Sequence, residues 1–437
     1  MPVFLAVYPG YFCYDATTQF EQADSGEYTS YHPVLHTWLL GNTVKSLHSI
    51  TGSYNTAIAI YTIVQMMIIS GCLTYAMYFL EKHKVSKLIQ LGSMIYYCFF
   101  PVVVMYGMCS TKDSLFTAIT LVAILFIIDM LLNKDKFFKS IKLQIRMVVC
   151  LFLMFAFRNN AVYAFIVFIP ILIYSCKGYR KNISILITIL MVIWFVYMGP
   201  LHKVLNIEKN NELEYLSIPL QQVARVYNYN PDSLTEEDLE KIYRIMEDEK
   251  LKTYNPELSD SIKHPDGFNQ EELKNNYKEY IDLWISIGLR NPKMYIDSVL
   301  ENTLGYWYPN TILKGYNYWG TETSYFIATT EPPGERDSKI PLLEELYYKI
   351  SREATIQRLP VVSMLFSIGF MFWIVLILVG YNIYKNRNHI NIPLYLILLI
   401  WLTLIPGPIV QVRYILILFY AFPLFMGFLL NGKKFEN

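Results

Sequence analysis

Five charged side chains stand where charge is costly: Asp15, Lys112, Asp113, Arg158 and Arg413, each beside a strongly apolar run. Asp15 ends the segment Tyr8-Pro-Gly-Tyr-Phe-Cys-Tyr-Asp15, close to where a bilayer surface would lie. A carboxylate partly withdrawn from water there is expected to have a raised pKa and to serve as a general base. Taken alone, a helix-cap or turn aspartate is the plainer reading. Lys112-Asp113 sits in Cys109-Ser-Thr-Lys112-Asp113-Ser, between two apolar runs. The lysine suits a phosphate and the aspartate could orient it or an ion; a snorkelling lysine beside a capping aspartate is the plainer alternative. Arg158, followed by Asn159, interrupts an apolar stretch. An arginine at bilayer depth costs roughly 2.5–3.5 kcal/mol on insertion scales, so it is expected to be paired, interfacial or functional. Arg413 follows the Pro406-Gly-Pro408 turn. Two arginines and a lysine converging above lipid suit a membrane-anchored phosphate or diphosphate, which Arg can grip bidentately.

Other groups are less specific. His32 and His36 are four apart, on one helical face, but no third ligand accompanies them. Hydrogen bonding within the loop is their expected role; no resident metal or cofactor is expected, with a divalent cation left open. Gln221, Gln222 and Arg225 could read an acceptor. Trp307, in Tyr306-Trp307-Tyr308-Pro309, could stack on a sugar, although such aromatics also populate interfaces and cores. No Walker A, dinucleotide fingerprint, GxSxG or HExxH occurs, so ATPase, dehydrogenase, serine-hydrolase and zinc-protease readings lack support. The six cysteines show neither metal-ligand spacing nor a disulfide framework.

The elements that must position these groups follow from composition. The chain has 437 residues, is 54% hydrophobic and only 17% charged, below the quarter expected of a soluble domain. Its net charge of +1 is a cancellation: residues 201–359 carry 27 acidic against 18 basic side chains, and the remainder is net basic. This disfavours a soluble enzyme, a disordered chain and a nucleic-acid binder. Spanning or near-spanning runs occur at 57–80, 88–108, 114–132, 183–200, 360–384 and 411–430, with shorter ones at 147–157, 161–175 and 392–405. Lys and Arg crowd the connections 81–87, 133–146, 176–182, 385–389 and the tail, which places these on the cytoplasmic side. Alternation holds only if 147–157 and 161–175 are separate passes turning at Arg158. Residues 1–56, the Lys112 loop, the Arg158 turn, residues 201–359 and the Pro406–Pro408 turn then share the extracytoplasmic side. Met1–Tyr8 is apolar, short, and without a basic signal-peptide start, which predicts a first transmembrane helix entered part-way.

The expected organisation is a first external loop at 1–56, with an amphipathic membrane-parallel helix over His36–Ile50. A transmembrane module follows at 57–200, then an external, mostly helical domain at 201–359 and final transmembrane helices at 360–437. Within the domain, Ser217 and Pro219 resemble a helix start. Ser233-Leu-Thr-Glu236 has capping-box spacing ahead of a helix to about Lys250, Gln270–Leu289 is periodic, and Pro292 should begin another helix.

With these residues in view, the chain resembles the GT-C superfamily of integral-membrane glycosyltransferases, and is most similar to an uncharacterised Firmicutes branch allied to protein-mannosyltransferase and aminoarabinose-transferase relatives. Asp15 with His32-Pro33 matches the first loop and His36–Ile50 its parallel helix. Lys112-Asp113 matches the second loop, the 147–157/161–175 pair two short mid-module helices, and Arg413-Tyr414 the arginine before the last helix. Ala16 stands where a second acid is usual. The resemblance implies an all-α polytopic bundle that moves a sugar from a polyprenyl-phosphate donor to a cell-envelope glycan, lipid or protein acceptor. Asp15 would act as base, and Lys112, Arg158 and Arg413 would hold the phosphate. A transporter or flippase of a lipid-linked saccharide is the main alternative; it needs polar groups through the membrane interior, which the spans lack apart from Asp129 and the Arg158 turn. A non-catalytic scaffold is the third.

Overall fold

The computed structural model describes the chain except residues 209–215, 264–265, 312–316, 319–320, 323–328, 352, 354 and 432–437. Among the described residues it is helical, apart from a two-residue ladder between Asn317–Tyr318 and Thr321–Glu322. Three helices are long and apolar enough to cross a membrane: Tyr54–Lys82, Lys112–Leu132 and Arg180–Val204. A fourth candidate is the pair Lys87–Phe99 and Pro101–Gly107, bent by 52° at Phe100, since the residue before a proline is pushed out of helical geometry. The chain is thus a helical, membrane-associated protein.

It divides into two compact units, one of residues 1–210, 312–402 and 412–437, the other of 211–311 with 403–411. In the first, helix Ile141–Phe157 stops where Arg158 turns extended (φ −156°, ψ 107°), and Asn160–Ser175 starts afresh. The break expected at Arg158 is present. The first of these helices is longer than its apolar run, because Lys142, Gln144 and Arg146, assigned to a connection, are good helix formers and extend it. Two other runs are less regular than their hydropathy suggests. The stretch 360–384 breaks at Ser367, whose hydroxyl caps Phe370 N–H at 3.1 Å. The stretch 411–430 begins as a 3₁₀ turn, Val412–Ile415, and becomes helical in two pieces, Ile417–Tyr420 and Phe422–Asn431, with Pro423 at the start of the second. Arg413 therefore lies in a tight turn.

The segment before the first span folds onto it. Ala16–Ser25 and Val34–Thr51 pack on each other and on Tyr54–Lys82, burying Phe12, Phe20, Leu40, Val44, Ile58 and Tyr61. Gly41 permits the approach, since a Cβ there would lie 2.2 Å from the Ala23 Cβ. Gly52, at φ 69°, ends the second helix, and the Ser53 hydroxyl caps the span by accepting from Thr56 N–H at 3.3 Å.

In the second unit, helices Ser217–Tyr229, Glu236–Ile245, Tyr277–Arg290 and Pro292–Asn302 enclose Leu220, Val226, Ile242, Leu251, Phe268 and Ile287. Several details differ from the sequence reading. Ser217 is inside its helix and does not cap it. The capping box is Thr235 with Asp238 rather than Ser233 with Glu236; both pairs have the spacing, but Ser233 is used by a preceding 3₁₀ turn. That helix ends at Ile245, where Met246 turns extended and pairs with Phe268. The Gln270–Leu289 run breaks at Asn276. The unit also takes in the Pro406–Pro408 turn, whose carbonyls, poorly placed to bond each other, accept from Ser259 N–H (2.9 Å, Pro408) and Asn302 Nδ2 (3.0 Å, Gly407).

The Gly41 contact gives a test of the first unit. Gly41→Val should overpack it and cost about 1–3 kcal/mol, seen as a lower melting midpoint in detergent. Gly71→Val, where an added Cβ meets nothing within 4 Å, should leave the midpoint unchanged.

Candidate functional site

The loop bearing Asp15 is stitched to the loop bearing Lys112. Tyr11 N–H donates to Met108 O (3.0 Å) and Ser110 N–H to Tyr11 O (2.9 Å). Gln65, a buried polar side chain in the first span, donates to Gly107 O (3.2 Å) and Cys109 O (2.8 Å), so the second loop is fixed from beneath. The sulfurs of Cys13 and Cys109 touch at 3.4 Å. Thr111 then caps Lys112–Leu132, which puts Lys112 and Asp113 on its first turn.

On this frame the predicted charges meet. Lys112 Nζ is in direct contact with Asp15 Oδ2, and Arg413 Nη1 reaches the same oxygen at 3.2 Å. Arg158 Nη1 donates to Asp113 Oδ1 at 2.8 Å and to Tyr414 O at 2.9 Å. Asp113 is fully buried and also accepts from Thr111 Oγ1 at 3.1 Å. It therefore holds Arg158, where the sequence reading had it orient Lys112. The two halves join through Tyr414: the Arg158 and Arg413 guanidinium carbons lie 4.9 and 4.8 Å from its ring centroid. Arg413 also stacks on Tyr14 at 4.1 Å. Tyr14 adopts φ 61°, a left-handed conformation disfavoured for a bulky residue, so strain is stored beside Asp15.

Asp15 occupies the N-cap position of Ala16–Ser25, yet its side chain does not cap the helix. Its acidity reverses the expectation of a raised value. Burial opposes ionisation, but the Arg413 and Lys112 cations overrule it and hold the carboxyl well below the usual carboxylate range. A second carboxyl, which sequence reading missed, has the opposite bias. Glu331 is pushed up by burial, with the Asp15 charge adding to this and hydrogen bonds to Tyr14 N–H and Thr17 working against it. It arrives on a strap pinned to the first segment: Glu331 N–H donates to Phe12 O (2.6 Å), Thr330 Oγ1 to Gly10 O (2.6 Å) and Asp337 N–H to Tyr8 O (3.0 Å). Asn55 clamps both backbone groups of Glu335 at 2.8 Å. The one signal in the sequence was an acid preceding Pro332-Pro333-Gly334.

With that geometry in view, comparison with known sequences places residues 22–434 in one family. The chain belongs to the family of unknown function DUF6020. No curated protein and no solved structure matches it. The stretch matched to DUF6020 includes His32, Lys112, Arg158, Glu331 and Arg413 and begins just after Asp15.

The histidines serve the same loop. His32 Nδ1 stands 3.8 Å from Asp15 Oδ2, and His36 bridges Gln19 Oε1 (3.0 Å) and the Tyr61 hydroxyl (3.3 Å). Among the described residues no three His, Cys, Asp or Glu side chains converge as metal ligands. Asn159 is the N-cap residue of Asn160–Ser175, without a side-chain cap bond. The acceptor candidates belong to the second unit, where most of their polar groups bond within the protein; Gln221 Oε1 and Arg225 Nε are buried without a hydrogen-bond partner. Gln221 donates to Asn255 O at 2.9 Å; Gln222 donates to Tyr295 O at 3.2 Å and accepts from Trp284 at 2.8 Å. Arg225 forms a two-pronged pair with Glu301, at 2.5 and 3.0 Å. These three side chains are buried and tied to neighbouring groups; a polar residue on an amphipathic helix looks the same in sequence whether it faces solvent or a buried carbonyl. Trp307 donates to its own helix at Thr303 Oγ1, 3.3 Å.

Two measurements follow. Removing Asp15 leaves Lys112 and Arg413 facing each other, so Asp15→Asn should destabilise the fold. Lys112→Met in addition should restore part of the loss, with a coupling of about 1–3 kcal/mol in a melting-based double-mutant cycle. Burial lowers His32 to about 4 and His36 to about 3, from 6.5. Between those values the unfolded chain binds protons the folded chain refuses, so stability should fall as pH drops from about 6.5 towards 4. The stabilisation from Asp15 persists there and is lost only as pH falls through its depressed pKa. His32→Gln with His36→Gln should therefore flatten the dependence of melting midpoint on pH above about 4, and Asp15→Asn should not.

Proposed function

We propose that the chain is a polytopic membrane glycosyltransferase of GT-C type that takes its sugar from a polyprenyl-phosphate donor at the extracytoplasmic face. The observation carrying this reading is the continuous network Lys112–Asp15–Arg413–Tyr414–Arg158–Asp113, built from four separated stretches of chain. Three cations against two carboxylates leave one positive charge, and neutral His32 adds none. A sugar phosphodiester carries one negative charge and would neutralise the network; a diphosphate donor would overfill it.

The chemistry follows from the same balance. The acceptor hydroxyl attacks the anomeric carbon, its proton passes to a carboxylate, and the bond from the anomeric carbon to the phosphate oxygen breaks with its electron pair on oxygen. The leaving polyprenyl phosphate gains one negative charge as the carboxylate loses one, so the three cations face two units of charge on the phosphate. Cations already in place stabilise that charge as it develops. Asp15 in its resting ion pairs is a weak base. Phosphate binding draws Lys112 and Arg413 away from it and raises its basicity. Glu331, already biased towards protonation, is the second carboxyl available to the step. The absence of a nucleotide motif fits a donor that arrives activated from the membrane. The second unit, on this reading, faces an envelope glycan, lipid or protein acceptor, with Trp307 the aromatic candidate for contact.

Transfer from purified polyprenyl-phosphate sugars by the full-length protein in lipid nanodiscs is the test. Asp15→Asn and Arg413→Gln should each lower turnover by about 10²–10⁴-fold when assayed well below the melting midpoint of each variant, where it is still folded. Full turnover by Asp15→Asn, with loss in Glu331→Gln, would move the base to Glu331; wild-type inactivity towards every such donor would sink the reading.

A further inference from the structure

A second charged cleft lies at the opposite end of the helix that starts at Lys112. Asp129 is 17 residues further on, about 25 Å along the axis at ~1.5 Å per residue. The cleft, of about 500 Å³, opens between Tyr54–Lys82, Lys112–Leu132 and the start of Ile141–Phe157. Its walls grade from apolar to cationic. Ile68, Gly71, Cys72 and Tyr75 follow one face of the first helix and lead to Lys82; Val122 and Phe126 lead to Asp129 and Asn133 on the second. Lys136 and Arg146 complete the mouth.

Asp129 is satisfied within the protein, by Lys82 Nζ at 2.6 Å and His83 Nε2 at 3.4 Å. Lys136 and Arg146 have no acidic partner among the described residues, so the mouth keeps two positive charges. Ile68 is about half exposed and Gly71 has open space beyond its Cα, so the apolar wall is accessible along membrane-spanning helices. A free anion would use the mouth and leave this wall empty. A neutral lipid would use the wall and leave the two cations unpaired. Only an amphiphile with an anionic head satisfies both.

We infer that this cleft binds an anionic membrane phospholipid, its phosphate against Lys136 and Arg146 and an acyl chain along Ile68, Gly71, Val122 and Phe126. The site is separate from the Asp15 network and does not depend on the chain's being a glycosyltransferase. It places an anionic-lipid contact where the sequence reading puts the cytoplasmic leaflet, the side on which basic pockets between helices meet such lipids.

The test is native mass spectrometry of the full-length protein in mild detergent, titrated with phosphatidylglycerol or phosphatidylcholine. Phosphatidylglycerol should bind more tightly, and Lys136→Gln and Arg146→Gln should each weaken it about fivefold. Gly71→Leu, which fills the wall and leaves the mouth intact, should weaken both lipids. Lys177→Gln with Lys181→Gln, at a basic connection outside the cleft, should change nothing; the melting midpoint of each variant reports whether it is folded. Equal binding of the two lipids would overturn the inference, as would equal weakening by the Lys177/Lys181 pair. If inorganic phosphate alone protects the protein from melting through Lys136 and Arg146, and Gly71→Leu has no effect on lipid, the site is for a small anion and the lipid assignment is wrong.

Discussion

The sharing of one carboxylate by Lys112 and Arg413 is the constraint around which the first unit is arranged. Two like charges about 4 Å apart repel by roughly 4 kcal/mol at the effective dielectric of a protein surface. Three cations would not gather beside apolar helices without anions between them. Asp15 separates Lys112 from Arg413, Asp113 compensates Arg158, and the Tyr414 ring takes the faces of both guanidinium groups. Fixing Asp15 to within hydrogen-bonding distance of residues about 100 and 400 positions away then accounts for much of the local structure. The Tyr11 bridge to Met108 and Ser110, the Gln65 bonds and the Gly41 close approach all restrain the same loop.

Tyr14 shows how tightly that restraint is applied. A left-handed tyrosine costs of order 1–3 kcal/mol and persists only where its surroundings over-determine it. Here its ring lies on Arg413 while the next residue's carboxylate meets both cations, so one unfavourable backbone angle serves two favourable contacts. The 3₁₀ turn Val412–Ile415 answers the same geometry from the other side. The turn lets Arg413 reach Asp15 while Tyr414 offers its carbonyl to Arg158 and its ring to both arginines.

Much of this was legible in the sequence because cations inside apolar surroundings are rare. Lys112, Arg158 and Arg413 stood out by breaking the charge bias of the other connections, and the break at Arg158 was needed to make the spans alternate. Pairing was not legible. Asp113 follows Lys112 directly yet bonds Arg158, since adjacent residues on a helix point about 100° apart. Glu331 was hidden because it lies in a polar, acidic stretch, where the Pro332-Pro333-Gly334 that follows it is its one mark; the strap's backbone bonds bring it to Tyr14. The burial of Gln221, Gln222 and Arg225 was hidden for a related reason: the face of the amphipathic helix that carries them is packed against other helices of its unit.

The two carboxyl groups at the first loop bear on how a site crowded with cations could handle a proton. Asp15 is held ionised by what it touches, Arg413 and Lys112, and Glu331 is pushed towards the neutral form by burial, against the bonds it accepts from Tyr14 and Thr17. Such divergence is how acid and base roles become separable at one pH. It is also conditional. An anion that competes for Lys112 and Arg413 weakens the hold on Asp15 and, by its own charge, raises both carboxyl groups together. On the proposed reading, the resting site keeps Asp15 paired as a placeholder and gives up that pairing only to a ligand bringing comparable negative charge. Selectivity for an anionic donor and activation of the base are, on the glycosyltransferase reading proposed above, one electrostatic event, set by the distance between Asp15 and the two cations that share it.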